Sequence, residues 1–147
     1  MLLASLGACG GQEAAIKRFE QACRQEARTE VYNPRGWQAF KLANEEAFRA
    51  RAAKHPDSGK PSIFEGTADE FDFGYGDDGT DKAIEPTGDG LHRSDITVYH
   101  KGTKIAKFID FHSSYTGFLY GATSTRRCST EYPELYELSA AVAERRR

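Results

Sequence analysis

The chain has 147 residues, 39% of them hydrophobic and 29% charged, with 20 basic and 22 acidic side chains giving a net charge of -2. That is enough chain for one domain with its own core and too little for two comfortable ones, and the composition is that of a folded protein. The balanced charge offers no basic face of the kind nucleic-acid binding needs, and no run approaches the ~20 apolar residues of a membrane-spanning helix.

The first nine residues, Met1-Leu2-Leu3-Ala4-Ser5-Leu6-Gly7-Ala8-Cys9, are apolar and small, and give way abruptly to Gly10-Gly11-Gln12-Glu13. An apolar run ending in small residues has the form of a secretory signal and its cleavage site. Leu6-Gly7-Ala8-Cys9 resembles the lipobox of bacterial lipoproteins, in which a thiol accepts the lipid and becomes the new N-terminus. The resemblance implies a signal peptide over residues 1–8, a lipid on Cys9, an anchor and tether over 9–12, and a single domain over 13–147. It also implies a place on the periplasmic side of a bacterial membrane. Gly10 in place of Asp after the cysteine is similar to lipoproteins sent to the outer membrane of a double-membraned cell. The alternative is an incidental cysteine in an apolar stretch.

With Cys9 as the lipid-bearing residue, Cys23 and Cys128 remain, and export implies a disulfide between them. Two free buried thiols are the other reading. Neither cysteine has a partner at the spacing of a zinc site.

From Gln12, Ile16, Phe19 and Cys23 recur at helical steps with Ala15, Ala22 and Ala27 nearby, predicting a helix over about 12–27. Thr29 to Tyr32 suits a short strand. Asn33-Pro34 reads as an N-cap and first helical residue, opening a helix that runs to about Lys54 and stops before Pro56. Its apolar side carries Trp37, Phe40, Ala43, Ala47 and Phe48.

After Pro61 the period becomes two. Ser62 to Glu65 reads as a strand, and Phe71, Phe73 and Tyr75 fall on one face of another, read as core rather than as a stacking platform. Residues 77–92 read as a long loop. The clearest hairpin joins Ile96–His100 to Ile105–Tyr115 through Lys101-Gly102-Thr103-Lys104. One register sets Val98 against Lys107 and Ile96 against Ile109, with Lys107 a misfit on the apolar face; a two-residue slip sets Arg93 against Asp110. Phe118 to Ala122 suggests a further strand. Pro133 to Arg147 reads as a closing helix with Leu135, Leu138 and Val142 on its apolar edge.

These elements predict an α+β domain: an antiparallel sheet of about four strands, with N-terminal helices and a C-terminal helix packed on one face. The candidate binding residues are few. Asp77, Asp78 and Asp81, with Glu85 and Asp89 beyond, could supply oxygens to a hard cation, but the spacing is not that of an EF-hand and a solvated acidic loop is the better reading. Asp110, His112 and Ser114 share one strand face, yet residues two apart on a strand stand roughly 7 Å apart, too far for a proton relay. No phosphate loop, nucleophile elbow or HExxH motif occurs, and no cofactor is implied.

The organisation, a lipobox followed by a cysteine-bearing helix, a sheet and a second cysteine, is similar to small bacterial lipoproteins of unknown function. The resulting expectation is a non-enzymatic envelope protein that binds or shields an envelope protein or ligand. An immunity or inhibitor protein against a toxin or hydrolase is an alternative, as is an envelope enzyme using the Asp110/His112 face.

Overall fold

The computed structural model describes residues 7–57, 59–63, 65, 70–75, 82–83, 90–116 and 123–138. In chain order these form α1 (Gly7–Glu26), β1 (Arg28–Val31), α2 (Pro34–Lys54), β2 (Phe71–Tyr75), β3 (Lys82–Ala83), β4 (Leu91–His100), β5 (Thr103–Thr116), β6 (Thr123–Arg127), a one-turn helix α3 (Cys128–Glu131) and a 3-10 turn η1 (Pro133–Tyr136). Every strand pairing is antiparallel. The main path runs β1-β5-β4-β2, with β3 also on β4 and β6 also on β5. The class is α+β, as the sequence predicts.

The organising hairpin is β4–β5. Its turn is Lys101-Gly102, both left-handed at φ 50° and 79°, the geometry that matches the twist of a two-residue hairpin. One residue later the ladder slips. Tyr99 pairs with Lys104 but Val98 pairs with Ala106, leaving Ile105 as a bulge. The sequence registers differ from each other by two residues, and the bulge places the true one midway between them. Ile96 therefore faces Phe108, and Ser94 faces Asp110.

Paired residues on neighbouring strands share a face. Phe71, Phe73, Ser94, Ile96, Val98, Ala106, Phe108 and Asp110 thus lie on one side of the sheet, and Asp95, Thr97, Lys107, Ile109 and Phe111 on the other. Lys107 is not a misfit, because it never shares a face with Ile96 and Val98.

On the first face, α2 lays Phe40 against Phe71, Phe73 and Phe108, with ring centroids 5.4–6.0 Å apart. Trp37 stacks on Phe40 and meets Phe108 edge-on. Tyr136 of η1 closes on Phe108 from the other side. Phe71 and Phe73 therefore belong to the core, while Tyr75 at the rim is 44% exposed. Asn33 caps α2 as expected, accepting a hydrogen bond from the Gly36 N–H at 2.9 Å. Gly36 is required there, since a Cβ would collide with the Ile105 side chain. The bulge and the helix start are fitted to each other, and the Ile105 carbonyl accepts from both Tyr32 and Asn33.

The helices divide between the two faces of the sheet. Arg126 pairs with Ser113, which places it on the Ile109/Phe111 side, and its guanidinium lies over the Phe19 ring of α1 at 4.9 Å. Phe19, Ile109 and Phe111 are all fully buried. Cys23 is joined to Cys128 by a disulfide with Cα atoms 5.4 Å apart, tying α1 to the start of α3.

Several elements differ from the sequence reading. α1 begins at Gly7 and takes in Gly10 and Gly11, where a flexible tether was expected before a helix from about residue 12. Residues 62, 63 and 65 are not in a strand; Ile63 is fully buried, and the segment is held to α2 by side chains instead of by a ladder. Glu65 takes two hydrogen bonds from Arg51 (2.8 and 2.7 Å) and one from the Ser62 N–H (2.6 Å), and Asn44 bonds both Ser62 and Glu65. The strand expected at 118–122 lies outside the described residues, and the described one is β6. The closing helix is replaced over 133–136 by the 3-10 turn, which ends at left-handed Glu137 (φ 51°); Leu138 is buried, and Val142 lies outside the described residues.

Glu65 gives this strap a pH signature. Burial pushes its carboxyl up, but the Arg51 and Ser62 hydrogen bonds and the Arg51 charge outweigh burial and leave it below its usual value of 4.5. A depressed carboxylate contributes stability that is complete above the unfolded value and is lost as pH falls through the folded one. The expected result for Glu65→Gln is a stability deficit that is constant from neutral pH down to about pH 5 and shrinks below it. Urea melts of both proteins at a series of pH values check this; a deficit that does not change at acid pH contradicts it.

Candidate functional site

Asp110 sits where β5 changes partner. Along one edge, β5 pairs with β1 as far as Ile109 and with β6 from His112 onward, so residues 110–111 face a gap. A gap in a ladder leaves backbone donors without carbonyls, and burial would make them costly. The Asp110 carboxylate fills this role. Fully buried, it accepts from its neighbour's Phe111 N–H (2.9 Å), the Ser129 N–H (3.0 Å) and hydroxyl (2.7 Å), the Tyr136 hydroxyl (2.8 Å) and Arg127 (3.2 Å). Burial, and then the adjacent Asp110 charge, push the Tyr136 phenol far above its usual range, so it remains a donor.

A carboxylate saturated by five donors has no lone pair aimed at solvent with which to act as a base. Asp110, a candidate from sequence, is thus brought together with β6, α3 and η1 and not with a substrate-sized opening. His112 does lie on the same face, half-buried. Its cross-strand neighbour is His92, and the two rings stack with centroids 4.9 Å apart and 13° between planes. Ser94 Oγ is 3.5 Å from His112 Nδ1, and Ser114 Oγ pairs with Thr125 at 3.3 Å. Sequence reasoning missed the His92–His112 pair because it ended the loop over 77–92 at His92, whereas β3 occupies Lys82–Ala83 and β4 begins at Leu91. The bulge at Ile105 is what aligns them.

Asp77, Asp78 and Asp81 lie outside the described residues. Among the described residues, no group of three or more His, Cys, Asp or Glu side chains is placed to hold a metal ion.

On the opposite face, where α1 does not reach, charges alternate across three strands. Arg93 bonds Asp95 (2.6 Å), Lys107 lies between Asp95 (3.7 Å) and Glu30 (3.5 Å), and Glu30 bonds Arg28 (2.8 Å). Burial raises the Glu30 carboxyl, but bonds from Arg28 and Tyr32 and the Lys107 charge leave it lowered. For Lys107, burial is outweighed by the surrounding negative groups, and its value is raised. Both carboxylates of the row are shared among its three cations, Arg93, Lys107 and Arg28, which leaves a surplus of one positive charge.

One cavity of about 220 Å³ opens between α2 and the residues at 61 and 138, lined by Asn44, Glu45, Phe48, Arg49, Pro61 and Leu138. It is smaller than the roughly 300–1,000 Å³ usual for small-molecule sites, and its polar lining residues are engaged, Asn44 with Ser62 and Glu65 and Glu45 with Arg49. No described helix is long and apolar enough to cross a membrane.

No protein-family model, curated protein or solved structure matches the chain. What the fold and its polar centre define is therefore a class: a disulfide-stapled α+β domain whose most buried polar cluster holds the fold together.

Proposed function

We propose that this is an exported, non-catalytic domain, held to the cell envelope by a lipid on Cys9, that binds or shields an envelope partner. The observation that carries the reading is the Cys23–Cys128 disulfide between two fully buried sulfurs. Such bonds persist in oxidising compartments and are rare in the cytosol, which supports export; the lipobox-like Leu6-Gly7-Ala8-Cys9 supplies the means of anchoring. The non-catalytic half rests on Asp110. An enzyme working through the Asp110/His112 face would need a carboxylate to orient an imidazole, and this carboxylate is engaged by five donors elsewhere.

Intact mass measurement of the protein recovered from bacterial envelopes tests the reading. The expected mass lacks residues 1–8, carries acyl groups on Cys9, and is two hydrogens lighter than the reduced form. A mature protein that retains residues 1–8 and has three free thiols would refute it.

A further inference from the structure

Resting on the lipid-anchor reading of Cys9, we infer that α1 is a rigid strut that stands the domain on the bilayer, with the β5–β6 end of the sheet facing the lipid. The helix is continuous from Gly7 to Glu26, so Cys9 lies within it and no loop separates the anchor from the domain. Farther along, α1 is fixed on two successive turns: Phe19 under Arg126 of β6 and Glu20 at 3.7 Å from Arg126 on one, and Cys23 bonded to Cys128 at the start of α3 on the next.

These contacts give the direction of the helix over the sheet. Arg126 is level with Ser113 of β5, whereas Arg28, just past the helix end, is level with Ile109. Moving toward the N-terminus of α1 therefore moves toward Thr116, where β5 ends opposite Thr123. From Phe19 back to Cys9 is about 15 Å at ~1.5 Å per helical residue. That equals four to five strand residues at ~3.3 Å each counted from Ser113, and brings Cys9 just beyond the level of Thr116, where β5 ends.

The Lys101-Gly102 turn lies at the far end of the same strand. Thr125, opposite Ser114, is about 36 Å from it along β5 at ~3.3 Å per residue. An anchor on a flexible tether would let either end approach the membrane. One on a helix locked to the sheet presents the Thr116/Thr123 end to headgroups and holds the Lys101 turn, with the 47% exposed Tyr32, toward the envelope space.

The geometry can be tested apart from the lipidation. With Cys23 and Cys128 in their disulfide, the Cys9 thiol of the full chain can be coupled to maleimide-bearing lipid in phosphatidylcholine vesicles that also carry an acceptor-labelled lipid. A donor fluorophore is placed at position 125 or at position 101. The expected result is several-fold greater transfer from 125 than from 101, and loss of that contrast when a long Gly-Ser segment is inserted between Gly11 and Gln12. Equal transfer from both positions without the insert, or greater transfer from 101, overturns the strut. Gly10→Ala with Gly11→Ala should leave the contrast unchanged; a contrast that rises would mean the native glycines break the helix, and also overturns it. Absence of acyl groups from the native protein's mass instead overturns the anchor, whatever the vesicle result.

Discussion

Replacing Asp110 by Ala or Asn is expected to lower the unfolding free energy by about 3–5 kcal/mol, the range for removing one member of a buried charged network. The reason lies in what remains behind. The Phe111 and Ser129 N–H groups, the Ser129 and Tyr136 hydroxyls and the Arg127 guanidinium all donate to this one carboxylate. Without it the two N–H groups and the two hydroxyls stay buried and unanswered, while the partly exposed Arg127 can turn to water. Asparagine keeps the shape but turns one acceptor into a donor facing other donors, so it should rescue little. Tyr136→Phe removes one donor and leaves the carboxylate four others; a loss of about 1–2 kcal/mol is expected. Urea unfolding with the disulfide intact measures all three. If Asp110→Asn were as stable as the parent, the hub would be incidental and Asp110 would again be open to a catalytic role.

The second large effect concerns the disulfide. Cys23 and Cys128 are 105 residues apart, and the chain-entropy relation puts a loop of that length at about 4.7 kcal/mol. Both sulfurs are fully buried between α1 and α3, so the paired Cys23→Ser, Cys128→Ser protein also buries two hydroxyls where sulfurs were packed. The paired Cys→Ala protein isolates the cross-link. It is expected to unfold at a much lower urea concentration than the parent and to be insensitive to reductant, while the parent shifts down on reduction. A parent whose midpoint does not move on complete reduction would contradict the staple.

Much of the architecture is legible in the residues, for identifiable reasons. Asn33-Pro34 combines a side-chain acceptor with a fixed φ, and both act within one turn, so the start of α2 is a local matter. The Phe71/Phe73 alternation is likewise local. Register was not. Lys101-Gly102 suits a two-residue turn, but the Ile105 bulge answers to α2, whose Gly36 rests against the Ile105 side chain from far away in sequence. Because strand faces alternate, that single inserted residue reversed the sequence's placing of Ile109 and Phe111 relative to Ile96.

The candidate site was half legible for the same reason. Asp110 is conspicuous as a carboxylate among β-branched and aromatic residues, which in a sequence suggests chemistry. Its real partners are Arg127, Ser129 and Tyr136, and nothing local announces that β1 and β6 leave a gap beside it. Over the described part of the C-terminal helix, Pro133 and Glu134 favour a helical start, while left-handed Glu137 ends the turn after four residues.

The edge of β5 carries a consequence for how the domain comes into being. Its two tenants, β1 and β6, are far apart in the sequence and meet beside Asp110, and Thr29 of the one bonds the Tyr136 carbonyl beyond the other. An edge built this way cannot be completed until β6 and the residues up to Tyr136 have followed β5. The central hairpin can form early from neighbouring residues, but closure waits for Cys128, Ser129 and Tyr136, contacts of long sequence separation that fold slowly. The later segment thus locks the earlier one in place, and a chain shortened before Arg127 would leave α1 and β1 with a sheet but no clasp.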